Sequence, residues 1–352
     1  MNKENILFII HTEYHLLVAL SIIADNFNDS TKFGVQIYQT ETKGKRRFQF
    51  EKKVNNLPLS YYVLKYDEAD PGFNPNLRFE LAELCNQQWH RLFICNHHGF
   101  LDIYLSWRLA KQGALISLAP DGTKPYGTTR MFTPRWSVLA TLRFYTFLFL
   151  NRIWIPKLHI LTLTYANLNE INEVWVHFPE SFNNRTNKIV RYVNVLKSPI
   201  SRNFALDYFD IDVGKFLPRK NKIIFYANQP VKDRAIHDFE ISLLENLVHK
   251  FPNYLLVIKL HPITNEHQVL KFEHLKNVSI IKQSFPAELF ISCLSDSMVV
   301  SFDSTASLVN NEQCRFYWIH PMLIKENLEL DYLTSLNPTS FIKEVSSIEE
   351  IQ

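Results

Sequence analysis

Short apolar runs recur along the chain, and between them lie longer stretches whose apolar residues return at helical spacing. ILFII at 6–10 predicts a buried strand, and Glu13 to Asp25 a helix. FGVQIYQT at 33–40 and YYVLKY at 61–66 predict strands, Arg78 to Gln88 a helix, 91–96 a strand, 101–111 a helix and 114–119 a strand. The middle is less regular, with one clear strand at 173–178. The alternation then restarts: strands at 222–227, 254–260, 278–282, 297–302 and 315–320, a helix from Asp238 to Phe251, and helices opening at Pro286 and at Asp303-Ser304-Thr305. Strands alternating with helices predict parallel sheets with crossover helices. The expected fold class is α/β, with two Rossmann-like domains facing across a cleft. The expected boundaries are 1–160 for the first domain, 161–218 for a connecting region and 219–352 for the second domain.

Length agrees with this division, because 352 residues exceed what one core of ordinary size organises. A net charge of +3 gives no field that would select nucleic acid, so no nucleic-acid partner is expected. Four cysteines in so long a chain do not form a disulfide framework, which suits a reducing cytoplasm. The apolar opening at 6–24 carries His11, Glu13 and His15, so it reads as a strand and helix rather than a signal peptide. A second apolar stretch, 138–150, contains Arg143 and is flanked by Arg130, Arg135, Arg152 and Lys157. It fits either a buried helix or a helix lying on a membrane surface. Lys43, Lys45, Arg46 and Arg47 form a basic loop that suits solvent, an anionic acceptor or a lipid surface.

Ligands of open α/β sheets bind at the carboxyl ends of the strands. Polar residues collect at six such ends here: His11 with Thr12, Asn96-His97-His98, Pro120-Asp121-Gly122, Gln229-Pro230, His261-Pro262 and Ser304-Thr305. Asp121 before Gly122 could take a proton from a hydroxyl, though the pair also fits an ordinary turn. His261, held extended by Pro262, could donate to a departing phosphate. Asp303, Ser304 and Thr305 fit helix capping alone or a phosphate site. The chain has eight glycines and none after Gly214, so a phosphate in the second half must be held without a glycine-rich loop. No DxD motif is present, and Cys85, His90, Cys95, His97 and His98 match no zinc spacing, so no metal is expected.

These motifs resemble the bacterial sialyltransferases of the two-Rossmann (GT-B) type, especially the lipooligosaccharide and capsule enzymes of glycosyltransferase family 52. Asp121-Gly122, His261-Pro262 and Ser304-Thr305 stand in the family's order. The opening from Thr12 to Leu17, Gln229-Pro230, and Pro286 with Glu288 are softer matches. The family motif's first acidic position is Pro120 here. The resemblance implies an inverting, metal-independent, cytoplasmic transferase that moves a sialic or related nonulosonic acid from a CMP-sugar. The acceptor would be a glycan or glycolipid of lipopolysaccharide, O-antigen or capsule, with peripheral attachment to the inner membrane face. It implies no cofactor beyond the CMP-sugar substrate. Asp121 would be the base and His261 the group at the leaving phosphate. Ser304 and Thr305 would hold that phosphate, and Glu288 the cytidine ribose, with Gln229 and Pro262 beside them. His11, Thr12, His97, His98 and Gly122 would face donor sugar or acceptor. The His-Pro strand end and the Asp-x-Ser-Ser-like turn also resemble the CDP-glycerol glycerophosphotransferases. A non-catalytic glycan-binding or assembly protein is the third reading.

Overall fold

The computed structural model describes residues 3–40, 59–64, 66, 74–126, 134–153, 165–183, 187–215, 222–231, 233–261, 264, 266–283, 285–328, 330 and 336–352. The chain forms two compact units, Met1–Val195 and Leu196–Gln352. The expected connecting region is thereby divided between the two units. Its part up to 195 adds two strands to the first sheet, and the rest opens the second unit with a helix. The basic run Lys43–Arg47 and Pro262 lie outside the described residues.

The first unit has seven strands: β1 (Glu4–Ile10), β2 (Phe33–Thr40), β3 (Leu59–Leu64), β4 (Arg91–Ile94), β5 (Leu115–Leu118), β6 (Ile171–Val176) and β7 (Ile189–Tyr192). They pair in parallel in the order β3-β2-β1-β4-β5-β6-β7. The helices are α1 (Glu13–Asn26), α2 (Leu77–Asn86), α3 (Phe100–Ala110) and α4 (Pro134–Leu150). β1 lies inside the sheet with both faces covered. That is why Ile6 to Ile10 can be continuously apolar and fully buried. Glu173 on β6 is buried but pairs with Arg91 on β4 and Arg191 on β7 and accepts from the Ser117 hydroxyl on β5. Burial alone would raise this carboxyl. Arg191 and Arg91, with the hydroxyl, outweigh burial and lower it.

α4 meets the buried-helix expectation on one face only. Phe144, Phe147 and Leu148 are buried, while Val138, Leu142 and Phe149 are exposed, Phe149 to 82 %. Among the described residues no helix is long and apolar enough to cross a membrane.

The second unit contains α5 (Pro199–Phe209), β8 (Lys222–Ala227), α6 (Arg234–Lys250), β9 (Tyr254–Lys259), α7 (Glu266–Glu273), β10 (Val278–Ile281), α8 (Ala287–Ile291), β11 (Ser297–Ser301), β12 (Cys314–Trp318), α9 (His320–Lys325) and β13 (Ile342–Glu344). Its parallel sheet runs β10-β9-β8-β11-β12-β13. Tyr226, Phe272, Phe302 and Met298 fill the core beside Leu244 and Leu247 of α6. The helix expected to open at Asp303 is only a 3-10 turn, Thr305–Leu308. In both sheets the first strand of the unit is flanked by strands on opposite sides that follow it at different points of the chain. This places a topological switch point between β1 and β4, and another between β8 and β11.

Candidate functional site

In the first unit the loops after β1, β4 and β5 all leave the carboxyl edge at or beside the switch point. The chain turns from β1 into α1 through His11 and Thr12. Thr12 caps the helix, its side chain accepting from the His15 backbone N–H at 3.2 Å. The His11 ring is held at both nitrogens, with Nδ1 2.8 Å from the Thr40 hydroxyl and Nε2 2.7 Å from Asp102 Oδ2. Asp102 is fully buried in the first turn of α3, so this pair joins the β1, β2 and β4 ends into one frame. His15 follows one turn later and is buried. Its Nδ1 accepts from the His11 backbone N–H at 3.3 Å, which leaves the proton on Nε2. That Nε2 lies 3.2 Å from Asp121 Oδ1.

Asp121 follows β5 and precedes Gly122, whose φ of 61° gives the left-handed turn that a side chain disfavours. Lys124, three residues on, pairs with Asp121 Oδ2. Burial pushes the Asp121 carboxyl up, but His15 and then Lys124 outweigh it and hold it well below the usual carboxylate range. Asp121 is therefore ionised at neutral pH while keeping 23 % side-chain exposure. His97 and His98 follow β4, with ring centroids 3.6 Å apart. Burial lowers both, helped by the Lys124 charge, His98 to about 4 and His97 well below its ordinary value. Both are neutral at pH 7. His97 Nε2 and the Tyr165 hydroxyl are buried without a hydrogen-bond partner among the described residues, and the two rings meet edge to face at 4.8 Å.

The second unit's edge is built differently. Asn228, after β8, is buried and acts as a hub. Its amide nitrogen donates to Glu240 Oε1 at 3.0 Å, and its oxygen accepts from the Thr264 hydroxyl at 2.7 Å and the His261 backbone N–H at 3.4 Å. Glu240, fully buried on α6, also accepts from the Tyr226 hydroxyl at 2.7 Å and lies 2.9 Å from His237 Nδ1. This chain of bonds holds the backbone of His261 and the hydroxyl of Thr264, and His261 itself is exposed. Gln229 and Asp303 exchange two bonds, Nε2 to Oδ1 at 2.9 Å and backbone N–H to Oε1 at 3.0 Å, tying the β8 end to the β11 end. Ser304 donates its backbone N–H to Ser301 Oγ at 3.1 Å, and its own Oγ accepts from the Ala306 N–H at 3.3 Å. Thr305 beside it is half-buried, and Glu288 is buried in the first turn of α8.

The sequence-predicted residues thus fall into two groups. His11, Thr12, His97, His98, Asp121 and Gly122 belong to the first unit's edge, and Gln229, His261, Ser304 and Thr305 to the second's. Sequence reasoning missed His15 as the partner of Asp121, Asp102 as the partner of His11, and the Glu240–Asn228 chain behind His261. The spacing of His11 and His15, one helical turn apart at a strand end, was the available signal for the first. Among the described residues no group of three or more histidine, cysteine, aspartate or glutamate side chains is placed to hold a metal ion.

No family model matches this sequence, and no curated protein does. Solved structures do match in fold. The GT-B domain of a sialyltransferase from Photobacterium damselae has a TM-score of 0.58 at 13% identity, over 94% of this chain and 92% of that one. A 2,6-sialyltransferase from Photobacterium sp. JT-ISH-224, in ternary complex with CMP and lactose, has a TM-score of 0.59 at 12% identity, over 96% and 74%. The UDP-GlcNAc 2-epimerase of Methanocaldococcus jannaschii has a TM-score of 0.52 at 11% identity, over 97% and 88%. The chain therefore has the two-domain α/β fold of the GT-B type.

Proposed function

We propose that this chain is an inverting, metal-independent glycosyltransferase that moves a sialic or related nonulosonic acid from a CMP-sugar to a bacterial surface glycan. One observation carries the reading. Each unit holds one half of the chemistry at its carboxyl edge: an ionised, partly exposed Asp121 in the first, and in the second an exposed His261 whose backbone N–H is held by Asn228. The fold shared with sialyltransferases, one of them bound to CMP and lactose, supports it.

In this mechanism Asp121 takes the proton of the acceptor hydroxyl, whose oxygen attacks the anomeric carbon. The bond from that carbon to the donor phosphate breaks, and CMP leaves with the electron pair. His261 and the hydroxyls of Ser304 and Thr305 stabilise the charge that grows on the phosphate, the task a metal performs in DxD enzymes. Activity should therefore persist in excess EDTA. The acceptor would be a glycan of lipooligosaccharide, O-antigen or capsule made at the inner membrane face. The exposed apolar residues of α4, beside exposed Arg143 and Arg152, suit peripheral contact there. Anionic liposomes should then bind the protein less as salt rises.

A thermal-shift panel of CMP, CDP, UDP and GDP tests the donor, since a ligand of the folded state raises the melting temperature by mass action. CMP should give the largest rise. Stabilisation by CDP instead would favour glycerophosphotransfer, and by UDP the chemistry of the epimerases that share the fold.

A further inference from the structure

We infer that Lys124 is the receptor for a carboxylate on the sugar substrate, and that its transfer from Asp121 to that carboxylate frees the oxygen that accepts the acceptor proton. This rests on the reading of Asp121 as the base. Without a ligand both of its oxygens have a basic side chain against them, Oδ1 the His15 Nε2 at 3.2 Å, outside hydrogen-bond geometry, and Oδ2 the paired Lys124. A carboxylate so engaged is a poor proton acceptor, since general-base strength follows basicity.

The two partners differ in their freedom to leave. His15 is buried, and its second nitrogen is taken by the His11 backbone N–H, so it stays. Lys124 sits on a three-residue 3-10 turn, Lys124–Tyr126, with 58 % of its side chain exposed on a flexible stem. Its pair with Asp121 is an i,i+3 contact at the edge of solvent, a kind that is worth little and exchanges readily. An incoming carboxylate replaces one carboxylate–ammonium pair by another. It leaves Asp121 facing His15 alone, with Oδ2 open and its basicity raised by the part that Lys124 had taken away. An uncharged sugar offers Lys124 no such exchange.

The surroundings suit this role. His97 and His98, after β4, are neutral at pH 7, and Tyr165 is held un-ionised by burial and by the Asp121 charge. Cys95 behind them is likewise kept as a thiol by burial and by the Asp102 and Asp121 charges. Among the described groups that act on Asp121, only Lys124 is a permanent cation. At the same edge the His97 Nε2 and Tyr165 hydroxyl are buried polar atoms without a hydrogen-bond partner among the described residues. When the acceptor oxygen attacks, its proton goes to Asp121 Oδ2 and the donor's phosphate leaves with the bonding pair. No further reactant is needed.

Two carboxylates could supply the charge, the donor's or the acceptor's. Direct binding separates them without requiring transfer. N-acetylneuraminate and its methyl ester probe the donor type, and methyl glucuronide with methyl glucoside the acceptor type. The wild-type protein should prefer one acid over its neutral partner by about tenfold, the scale of one charge-assisted hydrogen bond. Lys124→Met should erase that preference and leave the neutral sugar's affinity unchanged, and Lys124→Arg should keep it. Preference for neuraminate assigns the donor carboxylate, and preference for glucuronide the acceptor's. Equal binding of acid and neutral sugar by the wild type, or a preference that survives Lys124→Met, overturns the proposal. Because Lys124 is exposed, its variants should melt with the wild type, and binding of free sugars stands apart from whether CMP is the nucleotide. A transfer assay adds a second check. The acidic limb of kcat, read in the complex, should lie above that of kcat/KM, read in the free enzyme, and the two should coincide in Lys124→Met.

Discussion

The carboxyl edges of the two sheets have the same topology and opposite electrostatics. The first unit's edge sets basic side chains against carboxylates, the His11 imidazole beside Asp102, and the His15 imidazole and the Lys124 ammonium beside Asp121. The second unit's edge is mostly amide and hydroxyl bonding, with Asn228 holding Thr264, Gln229 holding Asp303, and the buried acid Glu240 behind Asn228. A switch point supplies only converging loop ends. What each edge can do depends on whether those ends carry charge that moves or scaffolding that holds still. In the proposed mechanism the first edge changes a protonation state and the second presents fixed groups to a phosphate.

The contrast is broken most directly at Asp121. Asp121→Asn keeps the shape and removes the base, so transfer should fall by roughly two to four powers of ten, the scale of a lost general base. CMP affinity should barely change. His261→Ala should weaken both, because its partner is charged in the ground state as well as in the transition state. Kinetics paired with calorimetric CMP titration check the split. A near wild-type transfer rate in Asp121→Asn would leave the first edge without its assigned role.

Glu240 tests the holding role. Glu240→Ala removes the buried acceptor that the Tyr226 hydroxyl and the Asn228 amide share, while Asn228 keeps its bond to the Gln229 carbonyl, at a cost of about 1–3 kcal/mol. The melting temperature should drop, and CMP should bind more weakly because Asn228 no longer braces the His261 loop. Glu240→Gln keeps one acceptor oxygen and should recover part of both losses. Weakened unfolding without any change in CMP affinity would separate the buried chain from the site.

Most strands were legible because an interior strand of a parallel sheet is a continuous apolar run, as 6–10, 222–227 and 297–301 are. β7 was not, because it is an edge strand with Ile189, Arg191 and Tyr192 exposed. β13, three residues long, carries too little pattern to read. α5 has plain end signals that the irregular middle concealed, Ser198 as N-cap and Asp210 in the left-handed region at φ 55°. At the site, Asp121 and His261 were visible as strand-end motifs. The bonds around them were not, since Asn228 and His261 lie 33 residues apart and His11 and Asp102 lie 91 apart, and both pairs meet only through sheet order. The side-chain bonding of Gln229 to Asp303 across 74 residues was hidden for the same reason.

Acid should separate the units. Burial lowers His98 and His177 to about 4 each, in both cases below the ordinary histidine value. The unfolded chain therefore binds more protons than the folded one between about pH 6.5 and 4, and stability falls as pH falls through that window. Asp121 acts in the same direction lower down. Its depressed carboxyl contributes above the ordinary aspartate value and loses that contribution as pH drops below it. All three groups belong to the first unit. Hydrogen exchange from pH 7 to 4 should show first-unit amides losing protection ahead of those in β8 and β9. Replacing His177 by Gln should flatten the first-unit trend between pH 6.5 and 4.

The smallest expected effect is at Ser304, and it separates two roles of one oxygen. Ser304 Oγ accepts from the Ala306 N–H and so caps the short turn that begins at Thr305. In the proposed complex the same hydroxyl donates its proton to the phosphate, which its lone-pair contact with Ala306 leaves free to do. Ser304→Ala removes both contacts, each worth about 1 kcal/mol. The cap is lost with or without nucleotide, so it should show as a small fall in the melting temperature of the free protein. The phosphate bond should show only in ligand binding, as a loss of CMP affinity of about fivefold. Cytidine, which has no phosphate, separates the two. Its affinity should be the same in wild type and variant if Ser304 meets the phosphate. An equal loss for CMP and cytidine would mean that the turn has merely loosened, and that Ser304 belongs to the scaffolding along with Asn228 and Gln229.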